Sequence, residues 1–489
     1  MAKKKTAAGK TAQDNNKNNK IKILYATSEC VPFANSGGLG EVAGSLPRAL
    51  NRKRDIECRV IMPLYGAVSD EFREKMRFLG SCEVGVTWRM QYMGLFELRY
   101  KGVTYYFVDN EYYFKRDGLY GHFDDGERFA FFSKAIFEAL GMMEDFVPDI
   151  IHAKDWQTAL VPVYQTSIYK RDFMKTVFSI HNVEYQGYYG DTAIEDFIGI
   201  PDNYRHVLEF KGGINLMKGG IETTNAVSTV SPTYAMELKD PFFSFGMDGI
   251  INRNSHKLSG ILNGINTVLY DPAKDPLIAA NYSADDMSGK KECKRDLQKM
   301  LGLPENDSMM IAMISRLVPA KGVDLLIPIL DDIIGCNDVQ FVLLGTGYPE
   351  YEGFFRGLEA RHPDKARCMI QFDTALSHKL YAAADALLVP SRSEPCGLTQ
   401  MIGCRYACAP IVRRTGGLAD SIKDCTLGDG NGFVFDAYSS DGLYSAIMNA
   451  YGTYNRADDW KKLAEHDLRC DFGWSSSANA YRELYKSIL

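Results

Sequence analysis

The chain has no Cys-x-x-Cys pair, no apolar run long enough to span a membrane and no excess of basic residues. Each absence removes a class of function. The 11 cysteines are scattered, and the closest pair, Cys404 and Cys408, sits among apolar neighbours on an expected helix. A zinc site would need two further ligands close by in sequence, and none are there. Thiols without a disulfide framework suit a reducing compartment, so a cytoplasmic location is expected. No apolar stretch approaches the ~18 residues of a membrane span. The net charge of -6 argues against a nucleic-acid partner, which normally meets a basic surface. An anionic small ligand stays open, because a local pair of cations outweighs the global sign. No convincing Asp-x-Asp pair is present, so neither a metal nor another cofactor is expected.

Residues 1–20 are rich in Lys, Asn and Ala and carry no apolar core of the ~7–15 residues that a signal peptide needs. They read as a disordered leader.

What is present is an ordinary globular composition, 46% hydrophobic and 24% charged, over 489 residues. That length exceeds one core of roughly 100–200 residues, so two domains are expected. From Ile21 on, short apolar runs alternate with helical patterns. Ile21–Ala26, Cys58–Met62, Asp149–His152 and Lys175–Ile180 read as strands of a first parallel sheet, covered on both faces. Val84–Trp88 and Leu95–Tyr100 read as an antiparallel hairpin inserted at its edge. The alternation restarts near Asp307, with strands expected at Met309–Ile314, Val339–Leu344, Met369–Phe372 and Ala386–Val389. The expected class is α/β: two Rossmann-like doubly wound domains facing a central cleft. Residues 21–262 form the first domain and 263–470 the second, and a helix in 471–489 packs back on the first.

A short glycine turn occurs in each half, each time between an apolar run and an expected helix. The first is Asn35-Ser36-Gly37-Gly38-Leu39-Gly40 and the second Arg414-Thr415-Gly416-Gly417-Leu418-Ala419. Paired glycines admit a ligand close to the backbone, and the helix after each turn points free N–H groups at an anion. Other polar clusters also come directly after expected strands. Arg316 and Lys321 lie in Ser315–Gly322, where two cations can grip a diphosphate. Glu394 lies in Pro390–Gln400, where a carboxylate can accept sugar hydroxyls. Asp155 and Trp156 come after Ile151–Lys154, and His181 after Ser179–Ile180. Each has a plain reading too: a solvated cation pair, a helix N-terminal acid for Glu394, a helix N-cap for Asp155, a structural histidine. Together they fall where doubly wound folds bind ligands, at the carboxyl ends of strands.

On these residues the chain resembles glycosyltransferase family 5, the bacterial glycogen synthases and plant starch synthases. The resemblance runs from about Ile21 to Leu489. It is carried by Asn35–Leu39, Asp155-Trp156, Ile180-His181-Asn182, Thr229–Tyr234, Gly260–Gly264, Ser315–Gly322, Glu394–Gln400 and Arg413–Asp420. It implies the GT-B fold and retaining transfer of glucose from ADP-glucose to the non-reducing end of an α-1,4-glucan. It implies no nucleic-acid or membrane partner. Arg316 and Lys321 would hold the leaving diphosphate, shared by the backbone of Gly37-Gly38 and of Thr415-Gly416-Gly417. Glu394 and the backbone of Cys396-Gly397-Leu398 would bind glucose hydroxyls, His181 would stabilise the reacting centre, and Asp155 would lie on the acceptor side. Asn35 and Asn263 fall among the donor-binding positions, and Phe372 where an aromatic stacks on adenine.

The chain departs from the family pattern at Asn35 for Lys, Ala320 for Gln, Asn266 for Asp, Glu41 for Asp, and Thr374 and Tyr348 for acids. Most of these losses fall on the donor side. They leave two alternatives to an active ADP-glucose synthase. One is a catalytically weak homologue that binds glucan or regulates a partner. The other is a GT-B glucosyltransferase with another donor, such as UDP-glucose, or another acceptor.

Overall fold

The computed structural model describes residues 20–489, so the expected leader, apart from Lys20, lies outside the described residues. The first sheet is built from β1 (Ile21–Ala26), β2 (Ile56–Pro63), β3 (Arg77–Val86), β4 (Arg89–Tyr100), β5 (Val103–Asp109), β6 (Ile150–Lys154) and β7 (Lys175–Ile180). A small antiparallel sheet of β8 (Tyr188–Tyr189), β9 (Glu209–Phe210) and β10 (Gly213–Asn215) comes next. The first sheet is then completed by β11 (Ala226–Thr229) and β12 (Leu258–Gly260). Its order is β12-β11-β7-β6-β1-β2-β5-β4-β3. All pairs are parallel except β3–β4 and β4–β5, the inserted hairpin at one edge.

The second sheet holds β13 (Met309–Ile314), β14 (Val339–Leu344), β15 (Ala366–Met369), β16 (Ala386–Val389), β17 (Ala409–Arg413) and β18 (Phe433–Phe435). Its order is β15-β14-β13-β16-β17-β18, parallel throughout. Near-continuous apolar strands such as Val339–Leu344 are buried at every residue, because helices cover both faces. One expected strand lies elsewhere. The apolar run Met369–Phe372 pairs only as far as Met369, opposite Leu344. Gly345 then closes the pairing by donating its N–H to Met369 O. Phe372 is left beyond the strand, and Asp373 caps the next helix by accepting from Leu376 N at 2.9 Å.

Each sheet starts in its middle and grows first one way, then the other. The direction reverses between β1 and β6 in the first sheet, and between β13 and β16 in the second. A crevice opens at such a reversal, beyond the carboxyl ends of the two strands. The chain returns to the first sheet at its end. Ile265 pairs with Gly473, and the helix Trp474–Ile488 buries Tyr481 and Tyr485 against it. Tyr485 OH meets His152 Nδ1 at 2.8 Å, and Arg482 pairs with Asp55 at 2.6 Å.

Candidate active site

The reversal point of the second sheet brings together the loop after β13 and the loop after β16. Gly322 permits the approach: at φ +72° it lies so close to Pro390 that a Cβ would stand 2.0 Å from the Pro390 carbonyl oxygen. Across this contact Lys321 Nζ meets Glu394 Oε2 at 2.5 Å, and Ser391 Oγ donates to the same oxygen at 3.0 Å. A cation suited to phosphate and a carboxylate suited to sugar hydroxyls, 73 positions apart in sequence, are therefore one ion pair. Glu394 precedes the helix Thr399–Arg405 by several residues, so it is not that helix's N-terminal acid. Arg316 is exposed at the same loop. Arg413 braces the second loop from below, donating from Nε to Ser391 O at 3.0 Å, while Arg414 pairs with Asp436.

The two glycine turns have opposite characters. At Gly37 and Gly38 a Cβ would meet nothing within 4 Å, and Gly37 has an extended φ of -177°. Nothing inside the protein requires glycine there. The helix it opens, Gly38–Asn51, is 14 residues long and its N-cap makes no side-chain hydrogen bond. Space beside Gly37 and Gly38 is open, although the backbone of Gly37 and Gly40 also acts on the buried carboxylate of Glu29. Beneath the turn the buried carboxylate of Glu29 accepts from Ser36 N and Ser36 Oγ at 2.5 and 2.7 Å. Asn35 does not reach outward. Its Oδ1 accepts Gly37 N–H at 3.1 Å and lies 2.2 Å from where a Gly40 Cβ would be.

The N–H groups of the second turn are bonded inside the protein. Thr415 Oγ1 and Gly416 N–H both donate to Glu237 Oε1, at 2.8 and 3.0 Å. Gly417 N–H donates to Glu394 O at 3.0 Å and Pro395 O at 3.2 Å. Gly416 has φ +44°, with its Cβ direction 2.0 Å from Glu394 O, and Gly417's is 2.1 Å from Cys396 O. These glycines let two backbone segments stack, and Thr415-Gly416-Gly417 has no N–H group at the turn left to offer a diphosphate. The helix they open, Gly416–Ser421, has only 6 residues.

In the first domain, Asp155 comes directly after β6 with φ 57° and ψ -178°, a region essentially restricted to glycine. Such strain, of order 1–3 kcal/mol, marks positions held for function. Asp155 does not cap the short helix after it. Its Oδ1 accepts the N–H of His181 at 2.7 Å instead, so the end of β6 fixes the end of β7. Burial pushes the Asp155 carboxyl up to about 7, opposed by the N–H groups of His181 and Asn182. Burial, with Lys154 nearby, holds His181 well below the usual histidine range, so its imidazole is neutral. Its Nε2 is buried without a partner. Lys154, to which sequence reasoning gave no role, is fully buried under the rings of Tyr25 and Tyr481 and donates to Ser179 Oγ at 2.9 Å. Trp156 is half-buried, packed edge-on against Phe129 and under Gly187.

Asn263 and Cys396 meet between the two sheets, where the thiol faces the backbone and side chain of Asn263. Burial pushes that thiol up to about 12, so it is no nucleophile at neutral pH. Gly397 takes φ +69° between Cys396 and Leu398, and Leu398 borders a small cavity of about 20 Å³ beside Asn266 and Trp474. Phe372 is 91% exposed, a free aromatic face at the edge of the second domain. Sequence reasoning also gave no role to Ser231, Thr233, Glu237 and Asp420, which join the two domains. The signal available was the Ser-Pro start of the helix Pro232–Glu237, capped by Ser231. Among the described residues no three metal-ligating side chains cluster, and no helix is long and apolar enough to cross a membrane.

Comparison with known proteins places these features. Residues 22–253 match the starch synthase catalytic domain family, and residues 295–467 match glycosyl transferases group 1. The glycogen synthase of Clostridium acetobutylicum is 43% identical over 479 residues, covering 96% of this chain and 100% of that protein. That of Bacillus licheniformis is 43% identical over 474 residues, covering 95% and 98%. The catalytic domain of starch synthase IV from Arabidopsis thaliana, solved bound to ADP and acarbose, superposes with a TM-score of 0.88. It is 34% identical and covers 96% of this chain and 99% of that one. Sucrose-phosphate synthase from Thermosynechococcus elongatus, at TM-score 0.60 and 17% identity, shares the fold alone.

Proposed function

The chain belongs to the glycogen synthase and starch synthase family and is a GT-B hexosyltransferase; on that premise we propose that it moves glucose from ADP-glucose to the non-reducing end of an α-1,4-glucan, with retention. The observation that carries this reading is the Lys321–Glu394 pair at the reversal point of the second sheet. It sets a cation suited to phosphate directly beside a carboxylate suited to sugar hydroxyls. Departure of ADP builds negative charge on the diphosphate and positive charge on the glucosyl carbon. Lys321 and Arg316 stabilise the first, plausibly by several kcal/mol, and the Gly37-Gly38 backbone joins them once Asn35 releases the Gly37 N–H. Glu394 and the Cys396–Leu398 backbone hold the sugar. The neutral His181 is suited to the second charge, since an imidazolium beside a developing cation would oppose it. Asp155 orients His181 through its backbone and takes the acceptor side. Phe372 offers its face to adenine. Catalysis proceeds without a divalent ion, and the protein works in the cytoplasm.

One observation favours a weaker enzyme. Asn35, in place of a cation, folds back and takes the Gly37 N–H. The test is transfer of radiolabel to glycogen from ADP-glucose and from UDP-glucose, with and without EDTA, and then α-amylase digestion. Amylase-digestible label from ADP-glucose in EDTA is expected. No incorporation at high enzyme concentration refutes the synthase reading and favours a binding homologue. A donor preference for UDP-glucose, or activity that needs Mg²⁺ or Mn²⁺, refutes the corresponding part.

A further inference from the structure

Many of the polar contacts that join the two domains come from one short segment. Ser231 Oγ donates to Pro395 O at 2.7 Å. Thr233 donates its N–H and Oγ1 to the two oxygens of Asp420, at 2.8 and 2.7 Å. Glu237, at the end of the same helix, accepts Thr415 Oγ1 and Gly416 N–H on one oxygen. Its other oxygen is buried without a partner. All three contacts land on two stretches of the second domain, Glu394–Cys396 and Thr415–Asp420. Those stretches are themselves stacked through Gly416 and Gly417.

The path from Glu237 to the substrate-facing loop is therefore short. Its carboxylate holds the Gly416 N–H, and the next residue's N–H holds the Glu394 carbonyl. We propose that Glu237 is a positioning residue: from the first domain it fixes the Gly416-Gly417 turn and, through it, the backbone of Glu394. The second glycine turn thus serves the donor indirectly, as the mount of the loop that holds glucose. This role rests on the proposed part of Glu394 in sugar binding. Burial raises the Glu237 carboxyl above its ordinary range, against the hydrogen bonds from Gly416 and Thr415 and the facing Arg413, with Asp420 adding to the rise. Both groups that donate to it, a hydroxyl and a backbone N–H, are neutral, and both land on one oxygen.

That contact gives the test. Glu237→Ala removes the acceptor, whereas Glu237→Gln keeps an amide oxygen for the same two donors. In the full chain, Glu237→Ala is expected to lower kcat by ~10–100-fold, as loop misplacement of about 1 Å does. Glu237→Gln is expected to stay within about threefold of the parent, since its amide oxygen preserves the contact. Amide hydrogen exchange is read in parallel. Segment 394–400 should exchange faster in Glu237→Ala, with the core strand Val339–Leu344 unchanged. Equal losses in the two variants, or unchanged exchange at 394–400, overturn the proposal. If Glu237→Ala does not fold, Thr415→Val removes one donor of the same contact and carries the exchange and kcat readouts. Faster exchange at 394–400 in a protein that shows no glucosyl transfer at all would keep the positioning and refute the synthase reading instead.

Discussion

Gly416→Ala is the substitution whose consequence the structure determines most directly. A Cβ at position 416 would stand 2.0 Å from the Glu394 carbonyl oxygen, against the 3.0 Å that real contacts essentially never undercut. The oxygen must retreat by about 1 Å, and it belongs to backbone, which cannot swing aside as a long side chain does. The new alanine also sits at φ +44°, in the left-handed region. Overpacking costs roughly 1–3 kcal/mol and the left-handed backbone roughly 1–2 kcal/mol. The sum, about 2–5 kcal/mol, lowers Tm by about 4–20 °C for a domain of this size. A displacement of about 1 Å at Glu394 is expected to lower kcat ~10²-fold. Gly38→Ala is the contrasting case. Its Cβ meets nothing within 4 Å and it lies at the start of a helix, so Tm should hold or rise slightly. If the diphosphate rests on that turn, the added methyl should raise the donor KM. Scanning calorimetry with steady-state kinetics in ADP-glucose reads both. A Gly416→Ala enzyme with unchanged Tm and kcat refutes the reasoning about the second turn. An unchanged donor KM in Gly38→Ala refutes it for the first.

Three further outcomes are expected. Asp155 is held up to about 7 by burial, so its ionised form, the better acceptor for the His181 N–H, is lost as pH falls. The rate should therefore rise with pH through a midpoint near 7, and Asp155→Asn should remove that limb; a surviving limb assigns it elsewhere. Because the same carboxyl is raised above its unfolded value, its contribution to stability is full below about 4 and lost as pH rises through about 7. Lys321→Met removes the phosphate cation and leaves Glu394 with Ser391 alone, so kcat should fall ~10²–10³-fold, and a loss under tenfold would contradict the assignment. Asn35→Lys frees the Gly37 N–H and adds a cation beside a helix N-terminus. A gain of about 1 kcal/mol would lower donor KM ~5-fold, and an unchanged KM would leave that turn without a donor role.

The strands of both sheets were legible because buried parallel strands are near-continuous apolar runs, and Lys175–Ile180, Met309–Ile314 and Ala386–Val389 begin and end where their polar neighbours stand. The polar clusters after those strands were legible for the same reason, since the loop after a strand is local. The run Met369–Phe372 shows the limit of local pattern: pairing with Leu344 ends the strand at Met369, although Ile370 and Phe372 are apolar. Asp155 could be singled out as polar and strand-terminal, but its strained φ and its bond to His181 depend on two neighbouring strands meeting.

The glycine turns separate the two kinds of knowledge. Sequence by itself determined that each turn lies between a strand and a helix, in each of two repeated α/β halves. It offered both as anion sites and put Asn35 where the family has a cation at the first. Only the tertiary structure decided which one faces open space. The partner of Gly416 is Glu237, 179 positions earlier, and Lys321 finds Glu394 73 positions on. An N–H group advertises itself in the sequence, but whether it is already satisfied depends on an acceptor brought from another domain. The first turn leaves room beside Gly37 and Gly38, with the Gly37 N–H lent to Asn35, and the second is held in place by its own protein.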